Sequence, residues 1–287
     1  MDRPISAVLL ADAQPTTLEE RYLDLMKRAL TRLLFPDERY GEVDLGATSW
    51  QTPAKRLLRA MLRKRNLVVA RRWDPQERSV GLDWPEHGET MIGMARLNQL
   101  QVCVEDVLRS GVPGDLIETG VWRGGAAIFM RAILAAWGDR ERKVWLADSF
   151  RGLPKPNVAA YPADDGLDFW KRPELAVSVE EVKENFRRYA LLDDQVQFLE
   201  GWFRDTLPDA PISQLAVLRL DGDLYESTMD ALSALYPKLS VGGYLIIDDF
   251  AISACAQAVN DYRAAHSIAE PIHDIDGAGA FWRRTSA

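Results

Sequence analysis

Two acidic pairs carry the strongest chemical signal in this sequence. Asp221 and Asp223 flank Gly222 after the apolar run at residues 217–220, and Asp248-Asp249 follows the run at 245–247. Such runs read as buried strands, and two that pair in parallel bring their ends to about 5 Å from each other. Four carboxylates then share one small volume, which is costly unless protons or a cation neutralise them. Oxygen-only donors favour a hard cation such as Mg²⁺ over zinc. The histidines, His87, His266 and His273, do not supply a histidine-rich metal site. Each aspartate taken singly is more simply a helix cap; for all four together, capping is the weaker reading. On an extended strand end Asp221 and Asp223 share a face, so one can hold a cation while the other faces a substrate. The spacing leaves open which does which.

Two further run ends bear on ligand binding. The first reads Ile117-Glu118-Thr119-Gly120, then Val121-Trp122-Arg123-Gly124-Gly125 and a helix-forming stretch. Glycines at a strand-to-helix turn let a ligand approach the backbone, and the helix amino end favours negative charge. The dinucleotide pattern GxGxxG is absent, because three other residues separate Gly120 from Gly124. Glu118 would repel a pyrophosphate but suits the cationic amino-acid end of S-adenosylmethionine (AdoMet). A purely structural tight turn is the alternative. The second run ends Asp148-Ser149-Phe150. An acid there can accept hydrogen bonds from ribose hydroxyls, or it can cap a helix.

The elements that must position these residues follow from the pattern of apolar runs. Runs at 116–120, 144–150, 196–202, 215–223 and 244–250 alternate with helical segments starting near Gly124, Ser178, Tyr225 and Ala254. This is the sequence form of βαβ units and a parallel sheet. Two last runs, 271–275 and 280–284, flank Asp276-Gly277, a hairpin signal. The expected fold is α/β, a Rossmann-like sheet of parallel strands with a C-terminal antiparallel hairpin. Residues 1–110 read as a mainly helical N-terminal cap or lid, and 111–287 as the core. Thr16 and Thr17 stand three residues before Glu19 and Glu20, a capping-box spacing that predicts a helix of about 18 residues. The proline-rich segment 154–173 is placed to act as a lid.

Composition narrows the classes. A formal net charge of −8 disfavours a polyanion partner, and the basic segment at Lys55, Arg56, Arg59, Arg63, Lys64, Arg65, Arg71 and Arg72 reads as the outer face of an amphipathic helix. Cys103 and Cys255 form no CxxC pair, and the apolar run at 7–11 is too short for a signal or membrane segment. A cytoplasmic protein is expected, with no nucleic acid or membrane partner.

Residues 116–125 (LIETGVWRGG), 201–208 (GWFRDTLP), 218–229 (LRLDGDLYESTM) and 244–250 (YLIIDDF) resemble the macrocin O-methyltransferase family, which methylates sugar hydroxyls on macrolide and aminocoumarin natural products. Residues 90–93 and 22–25 resemble it too, whereas 36–83 match no family pattern. The resemblance implies AdoMet as donor, Mg²⁺, and a deoxysugar hydroxyl of a glycosylated small molecule as acceptor; a homo-oligomer is the expected assembly. It implies Asp221, Asp248 and Asp249 as metal ligands and Asp223 as general base. Glu118, Thr119, Gly120, Asp148, Ser149 and Asp221 then surround the donor's amino acid and ribose. Gly201 and Trp202 lie near its adenine, and Thr90, Met91 and Ile92 touch it from the helical part. The alternatives are another nucleotide-dependent sugar-modifying enzyme, such as a dehydrogenase, and a non-catalytic binding protein on the same fold.

Overall fold

The computed structural model describes residues 15–35, 40–42, 57, 60–62, 64–65, 70–71 and 74–286. In chain order the elements are α1 (Leu18–Leu30), β1 (Tyr40–Glu42), β2 (Ala70–Arg71), α2 (Pro75–Val80), α3 (Met94–Arg109), β3 (Asp115–Thr119), α4 (Gly125–Ala136), β4 (Val144–Asp148), α5 (Val179–Arg188), β5 (Val196–Glu200), α6 (Phe203–Thr206), β6 (Leu215–Leu220), α7 (Tyr225–Leu235), β7 (Leu239–Ile247), α8 (Ser253–Ala265), β8 (His273–Asp274) and β9 (Ala280–Arg283).

The main sheet runs in the order β5-β4-β3-β6-β7-β9-β8. Its first five strands are parallel, and β9 joins β7 and β8 antiparallel. Chain order therefore reverses between β3 and β6, and the crevice beyond their carboxyl ends is where such sheets bind ligands.

Strand alternation builds two cores. Leu116, Leu146, Val217 and Ile246 pack on the face covered by α1, α3, α4 and α5. Ile117, Trp145, Leu218 and Leu245 pack on the opposite face with residues of α7 and α8. Helix α4 is buried along nearly its whole length, because α1 and α3 pack on it as it lies over β3 and β4. That explains its run of small and apolar residues, which carries no polar face.

Several boundaries differ from the sequence expectation. Helix α1 has its capping box, with Thr17 Oγ1 accepting from the Glu20 amide and Glu20 from the Thr17 amide, both at 3.1 Å. It spans 13 residues rather than the longer helix expected, because Thr31 turns its hydroxyl onto the Lys27 carbonyl and Arg32 adopts a φ of 60°. The mainly helical N-terminal part also holds an antiparallel pair, β1 with β2. Strand β7 starts at Leu239, ahead of the expected Tyr244, since Gly242 and Gly243 interrupt the apolar pattern inside it. Lys55, Arg56, Arg59, Arg63 and Arg72 of the basic segment, and the run at 7–11, lie outside the described residues. No helix among the described residues is long and apolar enough to cross a membrane.

Candidate active site

A cavity of 450 Å³ opens at the switch point, a size ordinary for a small-molecule site. Its floor is the turn after β3. Gly120 has a φ of +83°, and a Cβ there would fall 1.6 Å from the Asp221 carbonyl oxygen, so the turn admits only glycine. The Asp221 amide donates to the Thr119 carbonyl at 2.8 Å, which ties this turn to the end of β6.

Glu118 lines the cavity and is 2% exposed. Arg219 donates to its Oε1 at 2.7 Å, while Oε2 is buried without a hydrogen-bond partner. Burial lifts its carboxyl to about 8 against the pull of Arg219. Asp148 holds the turn together: its Oδ2 accepts from the amides of Val121 at 2.7 Å and Trp122 at 3.4 Å, and its Oδ1 accepts from the Phe150 amide at 2.7 Å. Ser149 donates to the Gly152 carbonyl at 2.7 Å and starts the segment that crosses above. Gly201 donates its amide to the Asp148 carbonyl at 2.9 Å, placing Gly201 and Trp202 on the next strand end.

The acid cluster forms where β6 and β7 end side by side. Carboxylate oxygens of Asp221, Asp248 and Asp249 lie within 4.8 Å of one another. Asp249 Oδ2 accepts from the Asp223 amide at 3.0 Å. Burial is the first cause of the upward shift in every shifted member: Asp221 reaches about 6, Asp223 about 7, and Asp249 lies well above the usual carboxylate range. Mutual repulsion adds to each.

Strand β6 stops at Leu220, and Asp223 takes a φ of +58°, so the expected shared face of an extended strand does not occur. The turn at residues 222–224 and the bond to Asp249 aim Asp223 independently of Asp221.

The segment after β4 folds into 3-10 turns at Pro162–Asp164, Phe169–Lys171 and Pro173–Leu175. Leu153, Pro154, Phe169 and Leu175 line the cavity. Asp164, fully buried, accepts from the amides of Tyr225 at 2.6 Å and Glu226 at 3.3 Å, so this segment caps the helix that follows the Asp223 turn.

Residues 19–284 match the family described as macrocin-O-methyltransferase (TylF). The chain belongs to this family. It is 51% identical over 267 residues, 93% of each chain, to the 8-demethyl-8-(2,3-dimethoxy-alpha-L-rhamnosyl)-tetracenomycin-C 4'-O-methyltransferase of Streptomyces olivaceus. It is 46% identical to the mycinamicin III 3''-O-methyltransferase of Micromonospora griseorubida, over 95% of this chain and 99% of that one. The solved structure of the O-methyltransferase NovP superposes with a TM-score of 0.81 at 46% identity, covering 93% of this chain and all of the other. The protein is thus an AdoMet-dependent O-methyltransferase.

In this macrocin O-methyltransferase family member the cavity is lined by Thr90, Met91, Ile92, Glu118, Gly120, Asp148, Ser149, Gly201, Trp202, Asp221, Asp223, Asp248 and Asp249. Thr119 does not line it. The side chain of Thr119 alternates with Glu118 to the other face of β3, where it is fully buried with its hydroxyl unpartnered.

The sequence reading missed Arg219 and Arg96. Arg219, 2% exposed, reaches Glu118, Asp221 at 2.8 Å and Asp248 at 2.5 Å. Arg96 on α3 joins Asp248 at 2.6 Å to Asp276 of the hairpin turn at 2.8 Å. Burial opposes the charge on both arginines, but the surrounding carboxylates outweigh it and hold them firmly protonated. An arginine inside an apolar strand run was the available signal, since a buried cation requires acids nearby. Glu118, Asp221, Asp223, Asp248 and Asp249 still outnumber these two cations, and their all-oxygen donor set fits a Mg²⁺ ion.

Proposed function

We propose that this enzyme methylates a hydroxyl of a deoxysugar on a glycosylated natural product, with Mg²⁺ held by Asp221, Asp248 and Asp249 and with Asp223 as general base. The observation that carries the reading is the convergence of those three carboxylates within 4.8 Å beside Asp223, at one end of the cavity. The relatives act on a rhamnosyl tetracenomycin and on mycinamicin III, as their names state, which supports a glycosylated small-molecule acceptor.

Bound among the aspartates, Mg²⁺ supplies charge that lowers the pKa of a sugar hydroxyl. The protein's own part is alignment and proton transfer. Glu118 and the turn at Gly120 receive the amino-acid end of AdoMet, with Thr90, Met91 and Ile92 above it. Asp148 and Ser149 lie by the ribose, and Gly201 and Trp202 by the adenine. The acceptor oxygen forms its bond to the methyl carbon as the sulfur–methyl bond breaks, and Asp223 takes the hydroxyl proton. The segment at 154–173 and residues 81–96 of the N-terminal part cover the site and exclude water. The free, buried Cys103 and Cys255 suit a reducing cytoplasm, and a homo-oligomer is the assembly we expect.

The experiment is mass spectrometry of rhamnosides incubated with enzyme and AdoMet, with and without chelator. A mass gain of one methylene that chelator abolishes and Mg²⁺ restores supports the reading. Full turnover in chelator removes the metal from it, and methylation of non-sugar phenols alone removes the acceptor class.

A further inference from the structure

Residues 82–93, between α2 and α3, have no regular secondary structure, so their backbone groups need partners from elsewhere. Three arginines from different parts of the chain supply many of them. Arg78 on α2 donates through Nη2 to the carbonyls of Met91 at 2.5 Å and Ile92 at 2.9 Å. Through Nη1 it pairs with Asp83 at 2.9 Å, both side chains being fully buried. Arg123, inside the glycine turn after β3, donates through Nη1 to the carbonyls of Pro85, Glu86 and Gly88 at 3.2, 2.9 and 3.0 Å. Arg32 donates to the His87 carbonyl at 2.9 Å and pairs with Glu89 at 3.0 Å.

Backbone bonds complete the attachment. The Gly125 amide donates to the Glu89 carbonyl at 2.9 Å, and the Glu89 amide to the Leu30 carbonyl at 3.1 Å. A Cβ on Gly125 would lie 2.5 Å from that same Glu89 oxygen and from Thr90 Cβ, so the stretch is pressed against the amino end of α4. It presents Asp83, Trp84, Glu89, Thr90, Met91 and Ile92 to the cavity, whereas Arg32, Arg78 and Arg123 are not among the lining residues.

We propose that residues 82–93 form a strap across the donor end of the cavity, and that Arg78 and Arg123 are positioning residues for AdoMet, acting through the strap's carbonyls. The proposal rests on the placement of the donor over the turn after β3. Arg123 belongs to that turn and also grips the strap, so it keeps the floor and the roof of the donor site at a set separation. Loss of a latch is therefore read in donor affinity and donor KM rather than in turnover at saturating donor.

The two arginines answer differently to lysine. Arg123 uses one nitrogen for all three carbonyls, and a lysine ammonium offers three donors from one nitrogen. Arg78 uses two nitrogens in a fork, which an ammonium cannot reproduce.

The test measures the dissociation constant of S-adenosylhomocysteine by calorimetry, together with donor KM and kcat. The variants are Arg123→Ala, Arg123→Lys, Arg78→Lys and the double change Arg78→Met with Asp83→Leu, with Glu118→Gln as control. Arg123→Ala is expected to raise Kd and KM about tenfold or more with kcat within about twofold, and Arg123→Lys to recover to within about threefold. Arg78→Lys is not expected to recover. The double variant leaves no lone buried charge, so it remains foldable, and it should show the same loss of donor affinity. Normal Kd and KM in Arg123→Ala, a fall confined to kcat, or no rescue by Arg123→Lys overturns the proposal. If Glu118→Gln binds S-adenosylhomocysteine normally, the donor placement itself is wrong. If Glu118→Gln binds weakly while Arg123→Ala binds normally, only the strap fails.

Discussion

Glu118 and Arg219 are register partners on the adjacent strands β3 and β6, and Arg219 Nη1 donates to Glu118 Oε1 at 2.7 Å. The same nitrogen reaches Asp221, and the other reaches Asp248, so one buried cation joins the end of β3 to the acid cluster.

Replacing Arg219 by methionine keeps an unbranched apolar stem, shorter than arginine's, and removes the charge. The buried Glu118 and Asp248 and the half-buried Asp221 lose their shared partner, and the expected cost at neutral pH is about 3–5 kcal/mol, as for other broken buried pairs. Urea unfolding measures it. A midpoint equal to the wild type would show that Glu118, Asp221 and Asp248 do not depend on Arg219.

The metal-free protein should lose stability as pH rises. Glu118, Asp221 and Asp223 have folded values of about 8, 6 and 7, each above its ordinary value of 4.5 or 3.8. The native state therefore holds more protons than the unfolded chain in that window. This contribution is fully present below the ordinary values and disappears as pH climbs through the folded ones. A Tm lower by roughly 5 °C at pH 8.5 than at pH 6 is expected, and millimolar Mg²⁺ should lessen the fall by favouring the ionised carboxylates of the acid cluster. A Tm that rises with pH in chelator contradicts the assignment.

Asp248 and Asp249 should differ as ligands. Both oxygens of Asp248 are engaged by arginines, Oδ1 by Arg219 and Oδ2 by Arg96, whereas Asp249 accepts only the Asp223 amide among the described hydrogen bonds. Asp249→Asn is expected to weaken Mg²⁺ binding more than Asp248→Asn in calorimetry. Asp223→Asn should retain Mg²⁺ and AdoMet binding while single-turnover rates fall by about 10²- to 10⁴-fold, as for a lost general base. If Asp223→Asn loses the metal and Asp221→Asn keeps it, the roles of these two are exchanged.

Asp164 links the segment over the site to α7. Asp164→Ala should cost about 1 kcal/mol as a lost cap and raise acceptor KM, while Asp164→Asn, which keeps an acceptor oxygen, should cost less. Equal behaviour of the two variants would show that the capping bonds do not position the segment.

What the sequence by itself determined is short-range. Strand alternation, the capping box at Thr17 and Glu20, and the glycine turn after β3 all depend on neighbours within a few residues, so they were legible one segment at a time. The acids at the strand ends were legible for the same reason, because a parallel sheet brings the ends of its strands together whatever lies between them. Only the tertiary structure decided how those acids are partnered. Arg219 meets Glu118 across 101 residues and Arg96 meets Asp248 across 152, and neither arginine could be assigned a partner before strand register and helix packing were known. The direction of Asp223 was likewise out of reach, since its left-handed backbone is set by the turn at 222–224 and by the carboxylate of Asp249 on the next strand. The same holds for residues 82–93: without a periodic pattern of their own, they take their course from arginines on other elements that satisfy their carbonyls.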